Sequence, residues 1–224
     1  MRKIRFSQIL VFSSLVAIGL ALAILTTAFV LGRLPLGDFR GLALVVAAIV
    51  FLYVYALLLY RLFLACYPLR AGEIEPGSGQ EFIYHVYLLF YLILFYPVMR
   101  SGAFPVPLMR LLYQALGARL GPNTYSAGII LDPGFVEIGG NCIVGQFALL
   151  VPHVIEGTRL AHYPIRLGDN VTIGAHAVVL SDVTIDDNAI VATGAIVPKG
   201  TRIGAWETWG GVPARLLKRG DPRA

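Results

Sequence analysis

Apolar residues follow two different patterns along this chain. Before about residue 100 they form long unbroken runs, and after residue 120 they return singly at fixed intervals. In the second half an aliphatic residue recurs at every sixth position: Leu167, Ile173, Val179, Ile185, Val191, Val197 and Ile203. Leu120, Ile138, Val144 and Leu150 keep the same phase among themselves upstream. A helix repeats every 3.6 residues and a strand every two, so neither yields a strict period of six. A short fixed period predicts stacked units, and hexapeptide units predict a parallel β-helix. Each hexad then supplies one short strand and one corner, with its aliphatic residue pointing inward. Gly121, Gly139, Gly145, Gly168, Gly174 and Gly204 follow the inward residue, where a residue without Cβ lets the backbone turn. The fifth hexad position is also small or β-branched, as at Thr124, Cys142, Ala148, Val171, Ala177, Val183, Ala189 and Ala195. Three hexads complete a coil, so the run from Leu120 predicts four to five coils.

The phase breaks between Leu150 and Leu167, a step of 17 residues. Residues 152–164 do not fit two hexads and predict an excursion from the prism. Insertions in repeat proteins commonly carry function.

The apolar runs of the first half predict membrane helices. Residues 9–31 and 41–60 are apolar stretches of 23 and 20 residues, each long enough to cross the hydrocarbon core. Residues 82–99 are marginal in length and rich in aromatic residues, which favour the membrane interface, so they read as a re-entrant or surface-lying helix or as a third span. Residues 106–120 place Leu108, Leu111, Leu112 and Leu116 opposite Arg110 and Arg119, the pattern of an amphipathic interfacial helix. The Gly-, Glu- and Pro-bearing stretch 70–81 predicts a soluble hinge. Arg2, Lys3 and Arg5 precede the first span, and Arg61 and Arg70 follow the second. The loop between holds Arg33 and Arg40. This bias predicts a multi-pass protein of the inner (cytoplasmic) membrane with both flanks, and the β-helix, in the cytoplasm. The expected divisions are a transmembrane hairpin over 1–70, hinge and interfacial helices over 71–117, the β-helix over 118–210 and a tail over 211–224.

Composition supports this division. Hydrophobic residues make up 57% of the 224 and mean hydropathy is +0.74, more apolar than an ordinary soluble domain. The net charge of +5 reads as attraction to anionic lipid. The soluble half has no basic stripe with interleaved aromatics, so nucleic acid is not an expected partner. Cys66 and Cys142 lack metal or redox spacing.

The segment Leu167-Gly168-Asp169-Asn170-Val171-Thr172-Ile173-Gly174-Ala175 resembles the hexapeptide-repeat acyltransferases. So do Ile196-Val197-Pro198-Lys199 and the closing Gly211-Val212-Pro213-Ala214-Arg215. The stretches 116–121 and 132–139 are similar to a membrane-anchored branch of that family, including the C-terminal part of polylysine-synthetase-type enzymes. The resemblance covers roughly residues 116–218. It implies a mixed fold, in which transmembrane and interfacial α-helices precede a left-handed parallel β-helix. It also implies a homotrimer with acetyl-CoA bound in the grooves between prisms.

Acyl transfer from a thioester needs a base for the acceptor proton, a donor for the oxyanion and a groove for CoA. Of four histidines, His153 opens the excursion directly after the last regular strand, as the family's catalytic histidine does. It is the expected general base. Glu156 is its expected acidic partner, and Asp132, on an inward position, is another candidate. His162 lies late in the excursion, within reach of a substrate. His176 falls at an outward hexad position and reads as surface decoration, and His85 lies in the aromatic stretch. Matching the family residue by residue points to Ala175, Thr193 and Gly194 for the pantetheine arm, and to Lys199 and Arg215 for the phosphates. Trp206 and Trp209 follow the last hexad, to cap the prism or stack on an adenine. The expected activity is O- or N-acyl transfer to a membrane-proximal acceptor such as a lipid-linked sugar, a polysaccharide or a peptide-like product. No metal is expected. Two alternatives share the scaffold: a zinc enzyme like the gamma-class carbonic anhydrases, using His153, His162 and His176, and a non-catalytic trimer.

Overall fold

A computed structural model describes residues 2–102 and 104–220. The chain forms two compact units, Met1–Leu69 with Pro76–Pro97 and Arg70–Glu75 with Val98–Ala224.

The first unit is helical. Helix α1 (Phe6–Leu31) and helix α2 (Arg40–Cys66) pack along each other. The Thr26 and Tyr55 hydroxyls meet at 2.6 Å. Arg40 donates to the carbonyls of Gly32 and Leu34, which the end of α1 leaves without helical partners. Helix α3 (Gly79–Phe90) begins with Ser78, whose hydroxyl accepts from the Glu81 N–H at 3.2 Å. It continues through a π-helical turn at Tyr91–Phe95 into helix α4 (Tyr96–Arg100). Pro97 has no N–H to return to the preceding turn, and the wider turn accommodates that loss. Tyr60 of α2 lies within 6.0 Å of the rings of Tyr87, Phe90 and Phe95, so an aromatic cluster joins α2 to this third helical segment. The stretches Phe6–Leu31, Gly37–Cys66 and Gly79–Arg100 are each long and apolar enough to cross a membrane. The aromatic stretch read as marginal from sequence is thus part of a 22-residue helix.

The second unit is a three-faced parallel β-helix. One face stacks Arg119–Leu120, Val136–Ile138, Ile165–Leu167, Thr184–Ile185 and Arg202–Ile203. A second stacks Tyr125–Ser126, Ile143–Val144, Thr172–Ile173, Ile190–Val191 and Glu207–Gly211, closed by the antiparallel strand Ala214–Arg219. The third stacks Ile129–Ile130, Leu149–Leu150, Val178–Val179 and Ile196–Val197. The inward aliphatic residues fall in register as the period predicts. Ile173, Ile185 and Ile203 are 1% exposed and Leu150, Val179 and Val191 fully buried. Each buried aliphatic side chain of this size stabilises the fold by roughly 1.5–3 kcal/mol. Val171, Ala177, Val183, Ala189 and Ala195, from the fifth hexad position, fill the space between them and are fully buried.

The corner glycines have a different role from the one expected. Gly139, Gly145, Gly168 and Gly174 do not supply the left-handed turn. They let one coil press on the next, since a Cβ on Gly174 would lie 2.4 Å from the Thr193 nitrogen. The left-handed residues come two positions later: Asn123, Asn141, Phe147, Asn170, His176 and Asn188 all have φ between 53° and 61°. Asn, Asp and His enter this region more readily than other side chains.

Three further expectations need correction. The helix drawn over 106–120 is α5 (Val106–Leu116), stopped by left-handed Gly117, and Arg119–Leu120 already belongs to the first coil. Its apolar side, Met109, Tyr113 and Leu116, is buried. The Tyr113 hydroxyl donates to the Gly128 carbonyl at 3.0 Å, so α5 caps the open end of the prism. Second, the 17-residue step is a single six-residue step carrying eleven extra residues, because Leu150 and Leu167 lie on successive faces. Third, Asp132 is not on an inward position. Ile130 takes that place beneath Leu150, and the corner after it is long enough to hold Asp132 and a 3-10 turn at Pro133–Phe135.

Candidate active site

The extra residues form a β-hairpin, His153–Glu156 paired antiparallel with Arg159–His162, turning at Gly157 with φ 59°. Gly72–Glu73, inside the expected hinge, adds a third strand against Ala161 and His162. The hairpin therefore leaves the prism at the corner between the third and first faces, one coil above the corner that holds Asp132.

That stacking builds the site. His153 and His162 stand directly opposite each other across the hairpin. Both reach Asp132, which is 4% exposed and held in the left-handed region at φ 43°. His153 Nδ1 lies 2.5 Å from Asp132 Oδ2. His162 Nε2 approaches Oδ1 at 3.9 Å, beyond hydrogen-bond length. The His162 ring is fully buried and stacks on Phe135, centroids 4.6 Å apart and planes 16° from parallel. The His153 side chain keeps 28% of its surface exposed. Among the described residues no hydrogen bond is made to its Nε2, so that nitrogen is available to an incoming group.

The electrostatics follow from this burial. Desolvation pushes the Asp132 carboxyl up, but the hydrogen bond from His153 and the electrostatic pull of both histidines outweigh it and hold the group well below the usual carboxylate range. Desolvation pushes the His153 imidazole down, and the hydrogen bond and charge of Asp132 outweigh that, so His153 titrates above its ordinary value. A carboxylate on Nδ1 fixes the proton there and leaves the Nε2 lone pair to accept one.

Glu156 does not reach His153. Successive strand residues point to opposite faces, so residues 153 and 156 diverge. Glu156 is half exposed, accepts from Lys199 Nζ and lies 3.8 Å from Arg159 Nη1. The structure thus joins the expected acid to an expected phosphate-binding lysine. Arg159 also binds Glu73 at 2.6 Å, tying the hairpin to the added strand. Behind the hairpin a cleft of about 380 Å³ is lined by Val154, Arg159, Tyr163, Ser181, Asp182 and Lys199. Ala175, Thr193 and Gly194 gather at another corner, between the second and third faces, where the Gly194 N–H donates to the Ala175 carbonyl. His176 stands beside them at φ 59°, its ring 5.1 Å from Phe147. Arg215 lies exposed on the closing strand. Trp209 sits in the last coil with its ring N–H on Glu207, and the Trp206 carbonyl accepts from Gly220. Among the described residues no group of three or more His, Cys, Asp or Glu side chains is gathered as a metal would require.

Residues 164–199 match the family described as bacterial transferase hexapeptide, six repeats. The matched hexapeptide segment spans the third and fourth coils and contains Ala175, Thr193, Gly194 and Lys199, but neither His153 nor Asp132. Over 162 residues the chain is 27% identical to YvoF of Bacillus subtilis (strain 168), provisionally named an acetyltransferase, covering 66% of this chain and 91% of that one. It is 33% identical over 101 residues to galactoside O-acetyltransferase of Escherichia coli (strain K12), covering 42% and 49%. It is also 29% identical over 142 residues to gamma carbonic anhydrase 1, mitochondrial, of Arabidopsis thaliana, covering 55% and 50%. The hexapeptide chain thus spans about half of the last two relatives and nine-tenths of YvoF.

Proposed function

We propose that this protein is a membrane-anchored, acetyl-CoA-dependent O- or N-acyltransferase with His153 as general base and Asp132 as the group that orients it. The observation that carries this reading is the 2.5 Å contact between His153 Nδ1 and a buried carboxylate. The acceptor hydroxyl or amine attacks the thioester carbonyl carbon as His153 Nε2 takes its proton. The C–S bond then breaks, and the departing CoA sulfur takes that proton from His153. Likeness to named acetyltransferases supports the donor.

Ala175, Thr193, Gly194, Lys199 and Arg215 are the proposed CoA contacts. In one chain the third face of the prism separates the first three from His153, so a neighbouring prism is needed to bring the two corners together. An outward column on the second face that carries exposed apolar side chains supports such a homotrimer of left-handed prisms. Tyr125, Ile143, Thr172 and Ile190 align in register there, and Ile143 is 58% exposed. A cytoplasmic donor favours a prism on the cytoplasmic side, which with a cytoplasmic N-terminus requires an even number of crossings. Cysteine accessibility at Ala127→Cys and Leu36→Cys tests this arrangement and is expected to label opposite sides. The anchor favours a membrane-proximal acceptor. The test of function is incubation of the full-length protein with acetyl-CoA and a total membrane extract. Transfer of the acetyl group to an extractable product supports the proposal, and no CoA binding and no transfer contradicts it.

Likeness to the gamma carbonic anhydrases favours a second reading as a zinc enzyme. The residues do not fit a metal within one chain. The His153 Nδ1 is taken by Asp132, His162 is enclosed against Phe135, and His176 stands on a different corner. Stoichiometric zinc in the purified protein with bicarbonate dehydration would favour this second reading.

A further inference from the structure

The catalytic reading accounts for one oxygen of Asp132 and leaves the other. Asp132 is buried in a long corner, held in a left-handed conformation that few side chains adopt. His162 approaches from the strand opposite His153, and its Nε2 is 3.9 Å from Oδ1. The histidine ring is itself held, since Phe135 stacks on it at 4.6 Å and the whole side chain is out of solvent. Phe135 belongs to the same turn as Asp132, so one element positions both the carboxylate and the ring that faces it. In a site this dry the pull between an N–H and a carboxylate persists beyond hydrogen-bond length.

We propose that His162 is a positioning residue. From the opposite strand of the hairpin it steadies the second oxygen of Asp132, which keeps the first on Nδ1 of His153. The proposal rests on the reading of His153 and Asp132 as the catalytic pair. It explains why the excursion is a hairpin rather than an open loop. Cross-strand pairing sets the two histidines side by side, and the pairing with Gly72–Glu73 holds the His162 strand in register.

The test reads the ionisation of His153 and needs no acceptor. The full-length protein, with its histidines selectively nitrogen-labelled, is titrated by NMR as wild type, Asp132→Asn, His162→Phe and His162→Gln. Phe preserves the stacking volume but not the donor, and Gln restores a donor. The His153 midpoint is expected to fall in Asp132→Asn, to fall by less in His162→Phe, and to return toward wild type in His162→Gln. A folded His162→Phe protein with an unchanged His153 midpoint, beside a lowered one in Asp132→Asn, overturns the role of His162 alone. No change in Asp132→Asn overturns both the pair and the proposal. If the Phe variant fails to fold, the wild-type spectrum decides: a proton on His162 Nε2 supports the role, and a bare Nε2 overturns it.

Discussion

Asp132→Asn is the most informative single substitution. It changes no volume, and it reverses the polarity of the contact with His153. The carboxylate accepts from Nδ1–H at 2.5 Å in a pocket where Asp132 is 4% exposed. An amide there offers its NH2 to Nδ1, which moves the imidazole proton to Nε2 and removes the lone pair that would take the acceptor proton. General-base catalysis contributes roughly 10²–10⁴-fold, about 2.7–5.5 kcal/mol of barrier. The loss should fall on kcat, because Ala175, Thr193 and Gly194, the proposed pantetheine contacts, lie at another corner of the prism. The assay is release of CoA thiol from acetyl-CoA in the presence of membrane extract, with kcat and KM measured separately. Thermal unfolding of the variant serves as a control, since loss of a hydrogen bond to a charged group costs about 1.5–3 kcal/mol. An Asn variant that is folded and turns over within about threefold of wild type would falsify the assigned role, because general-base loss on this scale cannot be hidden.

Other outcomes follow from the same geometry. Because Asp132 raises the His153 midpoint, transfer should rise with pH through a midpoint above the ordinary histidine value of about 6.5, as a pH–rate profile will show. The depressed Asp132 carboxyl contributes stability above the unfolded carboxylate value of about 4, and this is lost as pH falls through its lower folded value; Asp132→Asn should therefore flatten the acid limb of stability. Glu156→Gln should leave the His153 titration unmoved, because Glu156 faces Lys199 and Arg159. Gly174→Ala, whose Cβ would meet backbone at 2.4 Å, should lower the melting temperature clearly, whereas Gly134→Ala, with open space around it, should change it little. Ile185→Ala, stacked between Leu167 and Ile203, should cost about 2–5 kcal/mol in denaturant unfolding.

The repeat was legible because one residue in six must fill a narrow interior, and the same constraint acts at every coil. Ile173, Ile185 and Ile203 sit where their spacing put them. The corners were less legible. A glycine needed for close approach looks the same in sequence as one needed for a left-handed turn, and only the stacked coils tell them apart. His176 illustrates the other half of this: its left-handed backbone accounts for a histidine that spacing alone left as decoration. Of the two candidate partners of His153, Glu156 is near in sequence but three residues away on a strand, where it faces the opposite side, and Asp132 is the one within hydrogen-bond distance. Asp132, 21 residues earlier, is adjacent because the prism stacks one corner over the next. A hidden signal was present: Ser126 to Ile130 is a four-residue step and Ile130 to Ile138 an eight-residue one, a lengthened corner directly below the excursion. His162 could have been paired with His153 once the excursion was read as a hairpin turning at Gly157.

The central claim is that His153 takes the acceptor proton during transfer from acetyl-CoA. The most direct measurement follows radiolabelled acetyl groups from acetyl-CoA into membrane-extractable product, comparing the full-length wild type with His153→Ala while acetyl-CoA binding is measured on both. His153→Ala is expected to bind acetyl-CoA as the wild type does and to transfer at least about 100-fold more slowly. Equal transfer by the two proteins would contradict it.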